Sequence, residues 1–302
     1  MIALPLPYRG RFAPSPTGPL HFGSLVAATG SFLEARSRGG EWLLRMEDVD
    51  LPRCSTAAAD EILHTLEAFG FAWDGEEVWQ SRRGAAYAAA LERLRAARRV
   101  FPCACTRREL ADSAIAPDGA AIYPGTCRDG LPSGRTARSW RLRVGDARVG
   151  FDDAIQGRIE SDLVREAGDF VLLRADGLHA YQLAVVVDDA AAGITDVVRG
   201  ADLLTSTARQ IFLQQCLGFA TPSYAHLPVV VNAAGEKLSK QTLAPPLDAR
   251  HPAQALVAAL RFLGQAPPAD LALAGVDDVW RWALANWRLD RVPRGPLPFP
   301  VA

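Results

Sequence analysis

Arg11-Phe12-Ala13-Pro14-Ser15-Pro16-Thr17-Gly18-Pro19-Leu20-His21-Phe22-Gly23-Ser24 is the stretch whose reading decides the fold. It follows an apolar opening, Ile2 to Tyr8, and starts as the end of a strand. Prolines at 14, 16 and 19 remove backbone donors and fix φ, so no helix can begin before Leu20. A helix is predicted from near Ser24, where Leu25, Ala28, Phe32 and Ala35 share one face, and Gly39-Gly40 ends it. Strand, proline-spaced loop and helix N-terminus together aim backbone N–H groups and a partial positive charge into the loop, which favours phosphate. Gly18 and Gly23 permit close approach of a ligand, and His21 sets a donor beside it. Taken alone, the stretch also fits a proline-rich connection with an incidental histidine.

Outward from this stretch the chain keeps an α/β rhythm. Trp42 to Met46 reads as a buried strand ending in Glu47-Asp48-Val49-Asp50. Carboxylates there lie either at the ligand-binding edge of a parallel sheet or in a solvated turn. Helical patterns follow over Thr56 to Phe69 and Arg83 to Arg99. At Phe101 the rhythm breaks into a long Pro/Gly-rich segment, and Ser139 to Leu173 reads as short antiparallel strands completing an insertion. Tyr181 to Val187 is the next apolar run, interrupted by Asp188-Asp189, and Gly193 to Gly200 is another short strand. Leu203 to Leu217 is the helix that follows. Beyond Pro245-Pro246 come helical patterns over Pro252 to Leu263 and Val276 to Leu289, with Trp280, Trp282 and Trp287 read as core rather than as a base-stacking platform. The expected division is a catalytic first half (1–100), an insertion (101–179), a catalytic second half (180–243) and a helical domain (244–302).

A chain of 302 residues, 49% hydrophobic and 22% charged, supports one large or two to three smaller domains with ample core. The net charge of −1 carries no global basic signal, so a nucleic-acid surface would have to be a local patch. No signal peptide or run of about 18 apolar residues is present, which makes the cytoplasm the default expectation. All but two of the 33 basic residues are Arg, and both lysines, Lys237 and Lys240, fall in Glu236-Lys237-Leu238-Ser239-Lys240-Gln241. A compact ammonium and a planar guanidinium are not equivalent beside a phosphate, so that window points to a chemical need for lysine.

Five cysteines in a chain without an export signal argue against a disulfide framework. Cys54 and Cys216 are isolated and read as small buried side chains. Cys103, Cys105 and Cys127 could supply three metal ligands, where a structural zinc site has four. Tyr123, Glu109 and Asp112 are candidates for the fourth, and three unrelated buried thiols are the plain alternative.

The string through His21 and the string Lys237-Leu238-Ser239-Lys240 resemble, in order, the His-Ile-Gly-His and Lys-Met-Ser-Lys-Ser signatures of class I aminoacyl-tRNA synthetases. Ser24 stands where the first signature has its second histidine. The resemblance covers nearly the whole chain and is closest to the glutamyl-tRNA synthetase branch. Arg11 to Gly18, Leu44 to Asp50, Val197 to Gly200 and Lys237 to Lys240 carry it. It implies an α/β fold: a Rossmann-type parallel sheet with an inserted, zinc-containing α+β segment and a small C-terminal helical domain. One structural Zn2+ is implied on Cys103, Cys105, Tyr123 and Cys127.

The same resemblance implies glutamate contacts at Arg11, Ala13, Ser15, Glu47, Tyr181 and Arg199. Chemistry agrees, because a side-chain carboxylate needs a cation such as Arg199 or Arg11, and an ammonium needs Glu47 with Tyr181. ATP falls to Gly18, His21, Gly23, Ser24 and Lys240, with His21, Lys240 and Lys237 as the catalytic set and Mg2+ arriving on the nucleotide. The sequence runs from Lys240 to Ala302 without the large anticodon-binding region of a full glutamyl-tRNA synthetase. The members of the branch that share this arrangement activate glutamate without tRNA and attach it to queuosine in tRNA(Asp). The expected partners are therefore ATP, L-glutamate and queuosine-bearing tRNA(Asp), met by a monomer away from any membrane. A truncated synthetase charging a tRNA 3′ end and a non-catalytic tRNA-binding paralogue are the alternatives; retention of His21, Lys237 and Lys240 disfavours the second.

Overall fold

A computed structural model describes residues 7–111, 113–116, 119, 121–232, 235–238 and 245–299. Strand β1 (Arg9–Phe12) leads through the proline loop to helix α1 (Phe22–Ser37), which starts two residues before Ser24. His21, extended at φ −122° and ψ 175°, is the last non-helical residue, and its carbonyl accepts from Leu25 N–H at 3.0 Å. Strand β2 (Glu41–Met46) returns parallel to β1, with Phe12 opposite Leu44. The predicted single apolar face understates α1, which is buried from Leu25 through Ala35 except at Ala27. Gly30 explains the close fit: a Cβ there would sit 2.6 Å from Leu227 Cδ1.

Helix α2 (Thr56–Ala68) is capped by Ser55, whose hydroxyl accepts from Ala58 N–H. Strand β3 (Val78–Trp79) adds in parallel to β2, and helix α3 (Gly84–Ala96) follows. The next elements are β4 (Val100–Cys103), β5 (Ser139–Leu142), β6 (Arg148–Asp153), β7 (Gly157–Asp162), the short α4 (Leu163–Glu166) and β8 (Val171–Leu173). An antiparallel sheet in the order β4-β5-β8 forms one part of this region. Strands β6 and β7 form an antiparallel hairpin, as the alternation predicts.

Tyr181–Val187, an apolar run broken only by Gln182 and read with the strand that follows it as sheet, is instead the start of helix α5 (Tyr181–Ala191). Every residue from Gln182 to Asp189 is buried, so the run lacks the polar face that identifies an amphipathic helix. Strand β9 (Asp196–Gly200), helix α6 (Leu204–Leu217) and strand β10 (Ser223–Leu227) complete the α/β body, and β10 pairs in parallel with both β9 and β6. The hairpin thus extends the second parallel sheet, ordered β7-β6-β10-β9. The two parallel sheets meet where Arg9 O accepts from Thr195 N–H at 3.0 Å. The C-terminal ends of β1 and β9 therefore lie side by side, the position where open α/β sheets bind ligands.

Strand β11 (Val230–Val231), helices α7 (Pro252–Phe262) and α8 (Val276–Asn286) and strand β12 (Leu297–Pro298) follow, with β12 paired in parallel to β11. Trp280 and Trp287 are buried and Trp282 packs beside them, as predicted for core residues. They share one apolar cluster with Leu25, Phe32 and Trp42 of the first half. Phe32, Trp42, Phe71 and Trp280 interlock with ring centroids 4.9–5.6 Å apart. Indole N–H groups stay satisfied: Trp280 donates to Phe69 O and Trp287 to Glu34 Oε2. No helix among the described residues is long and apolar enough to cross a membrane.

Candidate active site

A cleft of about 710 Å³ opens over the C-terminal ends of β1, β2 and β9. Arg11, Ala13, Ser15, Glu47, Tyr181 and Arg199 all line it, as do His21, Gly23, Ser24 and Lys237. Gly18, at φ +145°, is not among the lining residues, although its neighbour Thr17 is. Lys240 lies outside the described residues. Gly23 has a packing reason here: a Cβ would sit 3.1 Å from His21 Cε1, so its absence lets the imidazole lie against the first turn of α1. The first N–H groups of α1 have no partner inside the helix and form an anion-seeking end to the cleft.

At the other end the charges are fixed by buried acids. Asp189 Oδ1 accepts from Arg45 Nη1 at 2.7 Å and Arg11 Nε at 3.2 Å, and Asp189 Oδ2 accepts from Arg11 Nη2. Burial opposes ionisation of Asp189, yet Arg11 and Arg45 overcome it and hold the carboxyl at about 2. Glu47 meets Arg45 only at 3.3 Å, and burial raises its carboxyl above the usual range despite Arg45 and Arg11. The Tyr181 phenol is pushed up to about 12, first by burial and then by Glu47.

Arg199 is arranged differently. It is 5% exposed, and its Nε donates to His226 Nε2 at 3.1 Å while Nη2 donates to Thr207 Oγ1 at 2.7 Å. Nη1 is buried with no hydrogen-bond partner among the described residues. Neither partner is an acid, so neither of these hydrogen bonds neutralises the guanidinium. Lys237 Nζ donates to Asp202 Oδ2 at 2.6 Å, which ties the lysine loop to the turn after β9. Gly235 at φ +78° and the bond from Leu238 N–H to Val230 O shape that loop.

At the end of β4 and in the segment that leads to β5, the Sγ atoms of Cys103, Cys105 and Cys127 lie within 4.8 Å of one another. Cys105 Sγ is 3.7 Å from Cys127 Sγ, and a tetrahedral ion with Zn–S bonds of ~2.3 Å sets its sulfurs about 3.8 Å apart. Tyr123 Oη completes the group at 3.5 Å from Cys103 Sγ and 3.7 Å from Cys105 Sγ. These residues could hold a metal ion. Glu109 is turned elsewhere, accepting from Thr106 and paired with Arg135, so it drops out as a ligand candidate. Asp112 lies outside the described residues.

Three groups at the site carried no signal strong enough to single out in the sequence. Arg45 is one charge inside an apolar run, Asp153 ends a strand, and His226 is a histidine in the buried strand Tyr224–Leu227. An ionisable residue inside a strand that is otherwise buried was the available clue.

A parallel sheet with helices around it and a cleft joining a helix N-terminus to buried cations is the frame of a class I tRNA synthetase catalytic domain. The family model described as tRNA synthetases class I (E and Q), catalytic domain, matches residues 8–281. The chain is 66% identical to the glutamyl-Q tRNA(Asp) synthetase of Aromatoleum aromaticum over 95% of its length and 91% of the relative's. It is 63% identical to the protein of the same name from Dechloromonas aromatica, over 96% and 97% of the two chains. A glutamate-tRNA synthetase from Elizabethkingia anophelis shares the fold with a TM-score of 0.80 at 24% identity, over 97% of this chain and 68% of that one. The chain belongs to the glutamyl-Q tRNA(Asp) synthetase family, ligases of the aminoacyl-tRNA synthetase type.

Proposed function

We propose that the chain activates L-glutamate with ATP as the adenylate, without tRNA, and transfers glutamate to the queuosine base at the wobble position of tRNA(Asp). The observation that carries this reading is Arg199, a buried cation with only neutral acceptors, set in one cleft with the N-terminus of α1. A buried guanidinium held by neutral acceptors suits an anionic ligand, and a helix N-terminus suits a phosphate. Glutamate and ATP meet both demands at once. The acceptor is the one that the relatives' names carry.

In the activation step a glutamate α-carboxylate oxygen attacks the α-phosphorus, the bond to the β-phosphate bridge breaks, and pyrophosphate leaves with the electron pair. Arg199 takes the side-chain carboxylate, with Arg11 nearby and shared with Asp189. Glu47 and Tyr181 take the ammonium, and Ala13 and Ser15 form the wall between them. His21 and the α1 N-terminus, reached past Gly18, Gly23 and Ser24, hold the phosphates, while Lys237 and Lys240 balance the charge gathering on pyrophosphate. Mg2+ arrives with the nucleotide. In transfer, a nucleoside hydroxyl attacks the activated carbonyl and AMP departs. Cys103, Cys105, Cys127 and Tyr123 would hold one Zn2+, which would serve as a structural cross-link. Use of ATP and tRNA fits a cytoplasmic enzyme.

Glutamate-dependent exchange of pyrophosphate into ATP without tRNA is the test. Robust exchange, followed by labelled glutamate on the anticodon base, supports the reading. Absence of exchange, or label on the 3′-terminal adenosine, overturns it.

A further inference from the structure

Asp153, His226 and Arg199 form a buried line across three adjacent strands, β6, β10 and β9, in which His226 lies opposite Arg199 in the parallel register. Asp153 Oδ2 lies 2.6 Å from His226 Nδ1, and both side chains are fully buried. A carboxylate can only accept, so the Nδ1 proton is fixed, and Nε2 is left as the lone pair that receives Arg199 Nε–H. Thr207 Oγ1, 3.0 Å from Nε2, takes Arg199 Nη2–H as well, and the Tyr224 ring lies 5.7 Å from the guanidinium carbon. Arg11 in the cleft and Arg45 behind it are instead steadied by a carboxylate, that of Asp189. A carboxylate against Arg199 would cancel the charge that the ligand must use; an imidazole orients it and leaves the charge intact.

We propose that His226, held in its Nδ1-protonated form by Asp153, is a positioning residue that aims Arg199 at the substrate's side-chain carboxylate. This rests on the glutamate reading of the cleft. Burial and the nearby Arg199 favour the neutral ring, outweighing the hydrogen bond that Nδ1 donates to Asp153.

The sharpest variant is Asp153→Asn. Asp153 Oδ1 accepts from the N–H groups of Ile155, Gln156 and His226, so an asparagine must keep its carbonyl oxygen there and turn its amide N–H toward Nδ1. The ring proton then moves to Nε2, donor against donor with Arg199, as a misplaced tautomer disables an imidazole elsewhere. In pyrophosphate exchange the KM for glutamate should rise roughly 10- to 100-fold, and the KM for ATP should change by less than about twofold. His226→Gln, which restores a neutral acceptor, should stay within about fivefold of wild type. Independently, nitrogen NMR of the wild-type chain with labelled histidine should show one buried ring protonated at Nδ1 and bare at Nε2. A ring protonated at Nε2, or an unchanged glutamate KM in Asp153→Asn, overturns the assignment. Wild-type protein with the correct tautomer and no glutamate-dependent exchange overturns the functional reading instead.

Discussion

Asp189 accepts a 2.7 Å hydrogen bond from Arg45 and binds Arg11 through both of its oxygens, so one carboxylate on α5 fixes the cations of two neighbouring strands. All three side chains are at most 7% exposed. Replacing Asp189 by Asn leaves two buried guanidinium groups without their shared counter-charge, at a cost on the order of 3 kcal/mol. Thermal unfolding at pH 7 measures it; an unchanged midpoint would refute the assignment.

The same acid sets a pH signature. Its folded carboxyl sits at about 2 against an ordinary 3.8, so its contribution is complete by about pH 5 and is lost as pH falls through 3.8 and then 2. That contribution is worth about 2 kcal/mol. Unfolding titrated in denaturant at pH 5, 4, 3 and 2 should show this loss in the wild type and not in Asp189→Asn.

Glu47 has the opposite sign. Burial lifts its carboxyl above the ordinary 4.5, so protonation on mild acidification favours the fold while removing the charge that pairs with the substrate ammonium. The kcat/KM for glutamate, which reports the free enzyme, should therefore fall on an acid limb centred above 4.5. Glu47→Gln should abolish that limb and lower kcat/KM roughly 10- to 100-fold at pH 7. A pH profile identical to wild type would remove Glu47 from the ammonium site.

For the thiolate cluster, mass spectrometry under native conditions should find one zinc per chain, absent in Cys127→Ser. The apolar cluster around it is small, comprising Phe101, Cys103, Ala104, Tyr123 and Cys127. Chelation should therefore expose Cys103 and Cys127, now fully buried, to alkylation. Equal alkylation rates with and without chelator would count against a metal.

Two glycines separate backbone strain from crowding. Gly39, at φ +64°, has open space within 4 Å of where a Cβ would stand, whereas Gly264, at φ +72°, would bring Cβ within 2.3 Å of Arg291 O. Gly39→Ala should cost ~1 kcal/mol and Gly264→Ala at least about 2 kcal/mol more, read from denaturant midpoints.

Much of this arrangement was legible because special residues mark it. Prolines 14, 16 and 19 delay α1, Glu47 follows β2 directly, and Lys237 stands out in an arginine-rich chain. Legibility failed where burial erased periodicity, as in α5, and where partners are distant in sequence. Nothing near His226 announces Asp153, and Arg45 is separated from Asp189 by 144 positions in sequence. Pairing across strands is a product of topology, and local pattern does not encode it.

Consecutive acids on the last turn of α5 reach in different directions. Asp188 binds Gln80 and Arg83 in the turn before α3 and Tyr87 in its first turn, and Asp189 binds the strands under the cleft. Because adjacent residues on one helical turn cannot rotate independently, a twist of α5 that loosens one grip also disturbs the other. The floor beneath the cations and the packing of α3 thus behave as a single mechanical part, and a substitution at Arg83 should be felt in the cleft without touching it.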